Sequence, residues 1–304
     1  MAGMHHAILG AGGVGGLMGA CLAHVGERVT MVVRPSGLAN FPEHLHLEST
    51  FGTFDEPVER ASIVPKADVL WITVKATQLE EALRSVPEPK TVSLVVPLLN
   101  GIDHVAALSE RFGAEKVIPA TIAGESERIA PGRILHPSPF ARLNVSARGR
   151  QQLGAVLEKL AAIGFTCRFV DDEATLMWSK VSILAPLALT TSAAAAPIGE
   201  IVGDGRRRRE LEACVQEVCA VARAEGAKVD VAAAFQSILN LPPGMRSSMQ
   251  KDVEKGNPPE LDAIAGPILR GGIRHGIPTP VTHALVAAVE GRVRTFLDSR
   301  VKAT

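Results

Sequence analysis

Hydrophobic positions along the 304-residue chain change their period once, and that change divides the sequence. In the first half, short apolar runs suited to buried parallel strands recur at His6 to Leu9, Val29 to Val33, His44 to Leu47, Val69 to Val74, Val92 to Val96 and Val117 to Ala120. Stretches of helical period lie between several of them, such as Gln78 to Ser85 and Asp103 to Arg111. This alternation predicts a doubly wound, mainly parallel sheet. The Pro- and Gly-rich stretch Pro131 to Pro139 reads as a strand pair flanked by turns, Gln151 to Ile163 as a helix, and Thr166 to Val170 as the last strand. After Asp171 the β-branched runs give way to long helical patterns, broken near Gly203, Gly226, Pro242 and Pro278. The expected organisation is an α/β Rossmann domain over residues 1–172, followed by an all-α domain over residues 173–304.

Composition narrows the functional class. Lys plus Arg equals Asp plus Glu at 32 each, which argues against a nucleic-acid partner, since such proteins usually carry a basic excess. The four cysteines, Cys21, Cys167, Cys214 and Cys219, show no metal-like spacing and point to reduced thiols in a cytoplasmic protein. The apolar run at the N-terminus is cut at once by glycines, so no secretory signal is expected. Val181 to Gly199 lacks charges, but Pro186, Pro197 and its many alanines and hydroxylated residues predict a buried helix and not a membrane span. No metal is expected: the nine histidines include no HExxH, and His44 and His46 alternate on one strand face as surface residues do. No GxSxG elbow supports serine hydrolysis. The run Arg206 to Arg209 points all round a helix and reads as a solvated face.

Gly10, Gly12 and Gly15 form GxGxxG directly after a strand and at the opening of a helix. The first glycine permits a tight turn, the second lets backbone approach a pyrophosphate, and the third lets helix and strand pack closely. The helix N-terminus adds N–H donors and a favourable dipole. Gly13 and Gly16 lower the steric demand further. At the end of the second predicted strand stands Arg34, and no acid occurs between Thr30 and Asn40. A carboxylate there would accept from a ribose 2′-OH, whereas an Arg accommodates a 2′-phosphate, so NADP(H) is the expected cofactor.

Beyond the loop GAGGVGG and Arg34, the chain carries VKATQ around Lys75, LNG at Leu99 to Gly101, WSK at Trp178 to Lys180, SSMQKDVEKG from Ser247 and ELDAIAGPILRGGIRHGIPTP from Glu260. In this order and spacing the sequence resembles the ketopantoate reductase (2-dehydropantoate 2-reductase) family, an enzyme class of pantothenate biosynthesis, over nearly its whole length. The resemblance implies NADPH-dependent reduction of a 2-keto acid, in a cytoplasmic protein for which a homodimer is expected. It implies Lys180 as the catalytic proton donor, Glu260 as a second catalytic residue that binds a substrate hydroxyl, and Ser248 and Asn100 as substrate contacts. Gly10, Gly12, Gly13, Gly15, Arg34, Lys75 and Asn100 would hold the cofactor. A lysine ammonium can polarise a carbonyl and give up a proton, the more readily where partial burial lowers its pKa. On the residues alone, Ser248 and Glu260 also fit helix capping, Asn100 an Asn-Gly turn, and Lys180 a solvated helix end.

The family pattern breaks in one region. Where the family places asparagines four and eight residues after the lysine, this chain has Leu184 and Ala188, and Met245 replaces a polar residue before the serine. Residues four apart share a helix face, so Lys180 should sit above an apolar stripe. Each lost buried hydrogen bond would weaken the hold on a hydroxylated substrate by about 1–3 kcal/mol, which points to a more apolar or bulkier 2-keto compound than ketopantoate. Two alternatives stand beside the reductase: a non-catalytic NADP(H)-binding sensor, and another two-domain hydroxyacid dehydrogenase with a lysine on its interdomain helix. The joint presence of Lys180, Ser248 and Glu260 speaks against the sensor, and NADPH turnover across a panel of keto acids decides between them.

Overall fold

The computed structural model describes residues 3–301, with side chains described as far as Asp298. The chain forms two compact units. One comprises the residues up to Leu99 together with Asp103–Leu176, and the other Asn100–Ile102 together with the chain from Met177.

The first unit opens with β1 (His5–Leu9), α1 (Gly13–His24), β2 (Arg28–Val32) and the short α2 (Pro35–Leu38). β3 (His44–Ser49), β4 (Gly52–Pro57), β5 (Glu59–Ala61) and β6 (Ala67–Ile72) follow. The short α3 (Leu79–Ala82) leads to β7 (Val92–Pro97) and α4 (His104–Phe112). Next come β8 (Ala120–Ala123), β9 (Glu127–Ala130), β10 (Arg133–His136), β11 (Ala141–Ser146), α5 (Arg150–Ala162) and β12 (Phe165–Val170).

Five of these strands make an all-parallel sheet in the order β5-β2-β1-β6-β7. Counted along the chain this is a 3-2-1-4-5 order, the Rossmann arrangement, which reverses direction between β1 and β6. Both faces of the sheet are covered. Val69 and Trp71 of β6 enter one apolar cluster with Leu17, Met18 and Leu22 of α1, while Leu70 and Ile72 enter another with Leu108 and Phe112 of α4. Burial on both faces explains why these strands read as continuous apolar runs.

The remaining strands do not extend that sheet. β4-β3-β10-β9 form a second sheet, parallel only between β3 and β10, and β12-β11-β8 form a third, parallel only between β11 and β12. The run expected as one strand at Val117 to Ala120 is divided: Val117 makes an isolated bridge to Val95, and Ala120 starts β8 in another sheet. Pro119 lies between them, and a residue without an N–H interrupts a ladder. The hairpin expected within Pro131 to Pro139 is shifted towards the N-terminus, with β9 before the Gly132 turn and only β10 inside that window. Gln78 to Ser85 holds a single α turn between two 3-10 turns in place of a continuous helix.

The second unit is helical: α6 (Glu173–Ala194, its first four residues grouped with the first unit), α7 (Ile198–Gly203), α8 (Gly205–Ala224), α9 (Val231–Leu239), α10 (Ser248–Lys255), α11 (Leu261–His275) and α12 (Pro280–Val301). The helix expected to continue to Gly199 stops at Ala194, because Ala195 takes φ 48° and Pro197 follows. Side chains close several starts: Asp204 accepts from the backbone N–H of Arg206 and Arg207, Asp230 from Ala233, and Ser247 from Gln250. Leu187, Ile201, Leu211, Val215 and Ile238 form part of its core. Among the described residues, no helix is long and apolar enough to cross a membrane.

Candidate active site

In the first unit the predicted cofactor residues gather at the carboxyl end of β1. Gly10 takes φ 112°, and its carbonyl, with that of Leu9, accepts from the Thr73 hydroxyl at 2.7 and 3.1 Å. Thr73 was not singled out in the sequence, yet it pins the turn. A side chain on Gly15 would collide with the Gly10 carbonyl and Thr73, so this position demands glycine for helix–strand packing. At Gly12 a Cβ would meet nothing within 4 Å. That glycine keeps a space clear where the backbone faces outward at the N-cap of α1, which fits a pyrophosphate cradled by the N–H groups of the helix start. Gly13 and Gly16 have a different reason: their Cβ positions are taken by the Ser126 carbonyl and by Ile134.

Arg34 lies one residue beyond Val33 at the end of β2, exposed, at the N-cap of α2. Lys75 is partly buried at the N-cap of the 3-10 turn that follows β6. Both stand at carboxyl ends of neighbouring strands, where open α/β sheets take their ligands.

The second unit brings together Lys180, Glu260 and Asn100. Glu260 is 7% exposed and occupies the N-cap of α11 without capping it through its side chain. Its Oε2 instead accepts from Asn100 Nδ2 at 3.1 Å. The helix starts at Leu261, so Glu260 takes the position of a cap but not its hydrogen bond. Asn100 is carried on the short segment before Gly101, whose φ of 81° and contact with the Ala263 carbonyl leave no room for a side chain. The Asn-Gly pair is therefore a turn that also aims the amide at a buried carboxylate.

Lys180 lies on α6, partly exposed at its surface but set deep among protein atoms. Desolvation lowers its pKa from 10.5 to about 8, with the negative charge of Glu260 acting in the opposite direction. Burial penalises the ammonium, and a nearby carboxylate restores part of its stability. The result is a lysine still mainly protonated near neutral pH that releases its proton far more readily than a solvated one.

The capping that Ser248 also fitted in the sequence falls to Ser247. Ser247 is 4% exposed, caps α10 and pairs with the Thr191 hydroxyl at 2.9 Å. Ser248, the first helical residue, is exposed. No sequence signal marked Thr191, although it falls on the Lys180 face of α6 three turns on. The four cysteines are unpaired, and burial pushes Cys21 and Cys214 up to about 12 and Cys167 to about 11, so these three stay thiols and offer no nucleophile. Among the described residues, no cluster of His, Cys, Asp and Glu could hold a metal ion.

The family description "Ketopantoate reductase PanE/ApbA" matches residues 6–148, and that of its C-terminal region matches residues 173–293. A 2-dehydropantoate 2-reductase of Caulobacter vibrioides is 30% identical, over 92% of this chain and 96% of that protein. The crystal structure of a PanE/ApbA family ketopantoate reductase from Ralstonia eutropha superposes with a TM-score of 0.84 at 27% identity, covering 96% of this chain and 99% of that one. D-mandelate dehydrogenase, solved with NADH and anilino(oxo)acetate, shares the fold at a TM-score of 0.85 and 20% identity, over 96% of this chain and 99% of its own. With its parallel sheet, its glycine turn and its lysine–carboxylate pair, the chain belongs to the ketopantoate reductase PanE/ApbA family, as an oxidoreductase that acts on 2-keto acids with a nicotinamide cofactor.

Proposed function

We propose that the protein reduces a 2-keto acid, 2-dehydropantoate or a more apolar relative, with NADPH and with Lys180 as proton donor. The observation that carries this reading is the lysine held at a pKa of about 8 beside a buried carboxylate that Asn100 orients. NADPH, when bound, supplies the hydride that adds to the carbonyl carbon. Lys180 Nζ donates a hydrogen bond to the carbonyl oxygen and, as the carbon–oxygen π pair becomes an alkoxide, transfers its proton there. A 2-hydroxy acid leaves, and the neutral amine regains its proton from water. Glu260 keeps the ammonium populated, while Ser248 contributes a hydroxyl.

On the cofactor side, Gly10, Gly12, Gly13 and Gly15 shape the pyrophosphate turn. Arg34 supplies the positive charge suited to a 2′-phosphate, and Lys75 and Asn100 complete the set. Four unpaired cysteines support a reducing, cytoplasmic setting. Light scattering on the purified chain tests the homodimer. The activity itself is tested by following NADPH consumption over a panel of 2-keto acids, in parallel with NADH. Turnover that is abolished in Lys180→Ala supports the reading, and NADPH binding without turnover on any keto acid overturns it.

A further inference from the structure

We infer that the substrate's tail is a hydrocarbon group without a hydroxyl, and that Leu184 is the residue that selects it; this rests on the reductase reading above. Positions 181–192 of α6 are buried with two exceptions, Ile183 and Leu184. At roughly 100° per residue these flank Lys180 on its own face of the helix, one turn on. Lys180, Ile183 and Leu184 are thus the accessible part of that face, and the lysine is their only polar group.

Nearby hydroxyls on α6 are already engaged. Ser182 donates back to the Ser179 carbonyl at 3.1 Å, Thr190 to the Pro186 carbonyl at 2.7 Å, and Thr191 to the Leu187 carbonyl at 2.7 Å while also pairing with Ser247. Farther along the face, Ala188 is fully buried and offers only a methyl group. Met245, on the loop before α10, packs against the cluster that contains Leu187. A keto acid whose carbonyl oxygen meets Lys180 Nζ therefore extends over Leu184, where α6 presents no hydrogen-bonding partner. An apolar tail gains contact there, whereas a hydroxyl loses its water and finds no partner on α6.

The test compares 2-dehydropantoate with its deoxy analogue, in which the terminal CH2OH is CH3, on the full-length chain with saturating NADPH. The expected result is a kcat/KM about 10–100-fold higher for the deoxy compound. Leu184→Asn should reduce that ratio at least tenfold, and Leu184→Met should leave it in place. Because both substrates are measured on the same preparation, the ratio is independent of the fraction folded. Preference of the unmodified chain for 2-dehydropantoate overturns the inference but leaves the reductase reading intact, as does a ratio unmoved by Leu184→Asn. Turnover of neither compound, nor of any other 2-keto acid, removes the reductase reading and this inference together.

Discussion

Asn100 Nδ2 donates to Glu260 Oε2 across 3.1 Å, joining residues 160 positions apart in the sequence. The bond gives a buried carboxylate a fixed direction, and the same carboxylate is the charge that opposes desolvation at Lys180. A hydrogen bond to a charged group contributes about 1.5–3 kcal/mol. Asn100→Ala should accordingly lower kcat/KM roughly 10–100-fold. Steady-state kinetics, read beside an unchanged thermal midpoint, check this. An undiminished kcat/KM would remove Asn100 from the site.

As the proposed proton donor, Lys180 should set the pH dependence of turnover. The donor form is present below a pKa of about 8 and is lost above it. The kcat/KM should therefore be level below that pH and fall tenfold per unit above it. Because Glu260 raises the lysine's pKa, Glu260→Gln should move the break to lower pH. Lys180→Arg should abolish the break along with most of the activity, since a guanidinium keeps its proton. A break that does not move in Glu260→Gln would show that the carboxylate does not tune the lysine.

Two glycines of the turn should fail in different ways. A side chain at Gly12 points into open space, so Gly12→Val should fold normally but bind NADPH at least tenfold more weakly. At Gly15 a side chain meets the Gly10 carbonyl and Thr73, so Gly15→Val should lower the thermal midpoint even without cofactor. Differential scanning fluorimetry and NADPH fluorescence titration on both variants distinguish the outcomes. Equal loss of stability in the two would contradict this division.

Arg34 should govern the choice of cofactor. It stands exposed at the N-cap of α2, just beyond the end of β2. Losing a charge-assisted contact to the 2′-phosphate, roughly 1.5–3 kcal/mol, should raise KM for NADPH about 10–100-fold in Arg34→Ala and leave KM for NADH nearly unchanged. Parallel titrations of the two cofactors measure it. Equal effects on both would reassign Arg34 to the adenosine or to the surface.

By itself the sequence determined the parallel sheet, the glycine turn and the switch to helices near residue 172, because each rests on local rules. β1 and β6 are buried on both faces, so residues 7–9 and 69–72 read as apolar runs without alternation, and GxGxxG needs only its own turn geometry. Lys180, Ser248 and Glu260 are candidates only through the family's spacing, since nothing local distinguishes them from helix ends and caps. Tertiary structure decided the rest. The expected strands β3, β8, β10 and β12 lie in two smaller sheets and not in the main one, and β11 carried no signal that was read, because strand partners are chosen over distances that periodicity does not encode. Ser247, not Ser248, became the cap once Thr191 offered it a buried partner. Lys180 acquired its lowered pKa only where the fold buried it, and the charge of Glu260, a carboxylate 80 residues away that the fold alone brings near, opposes that shift.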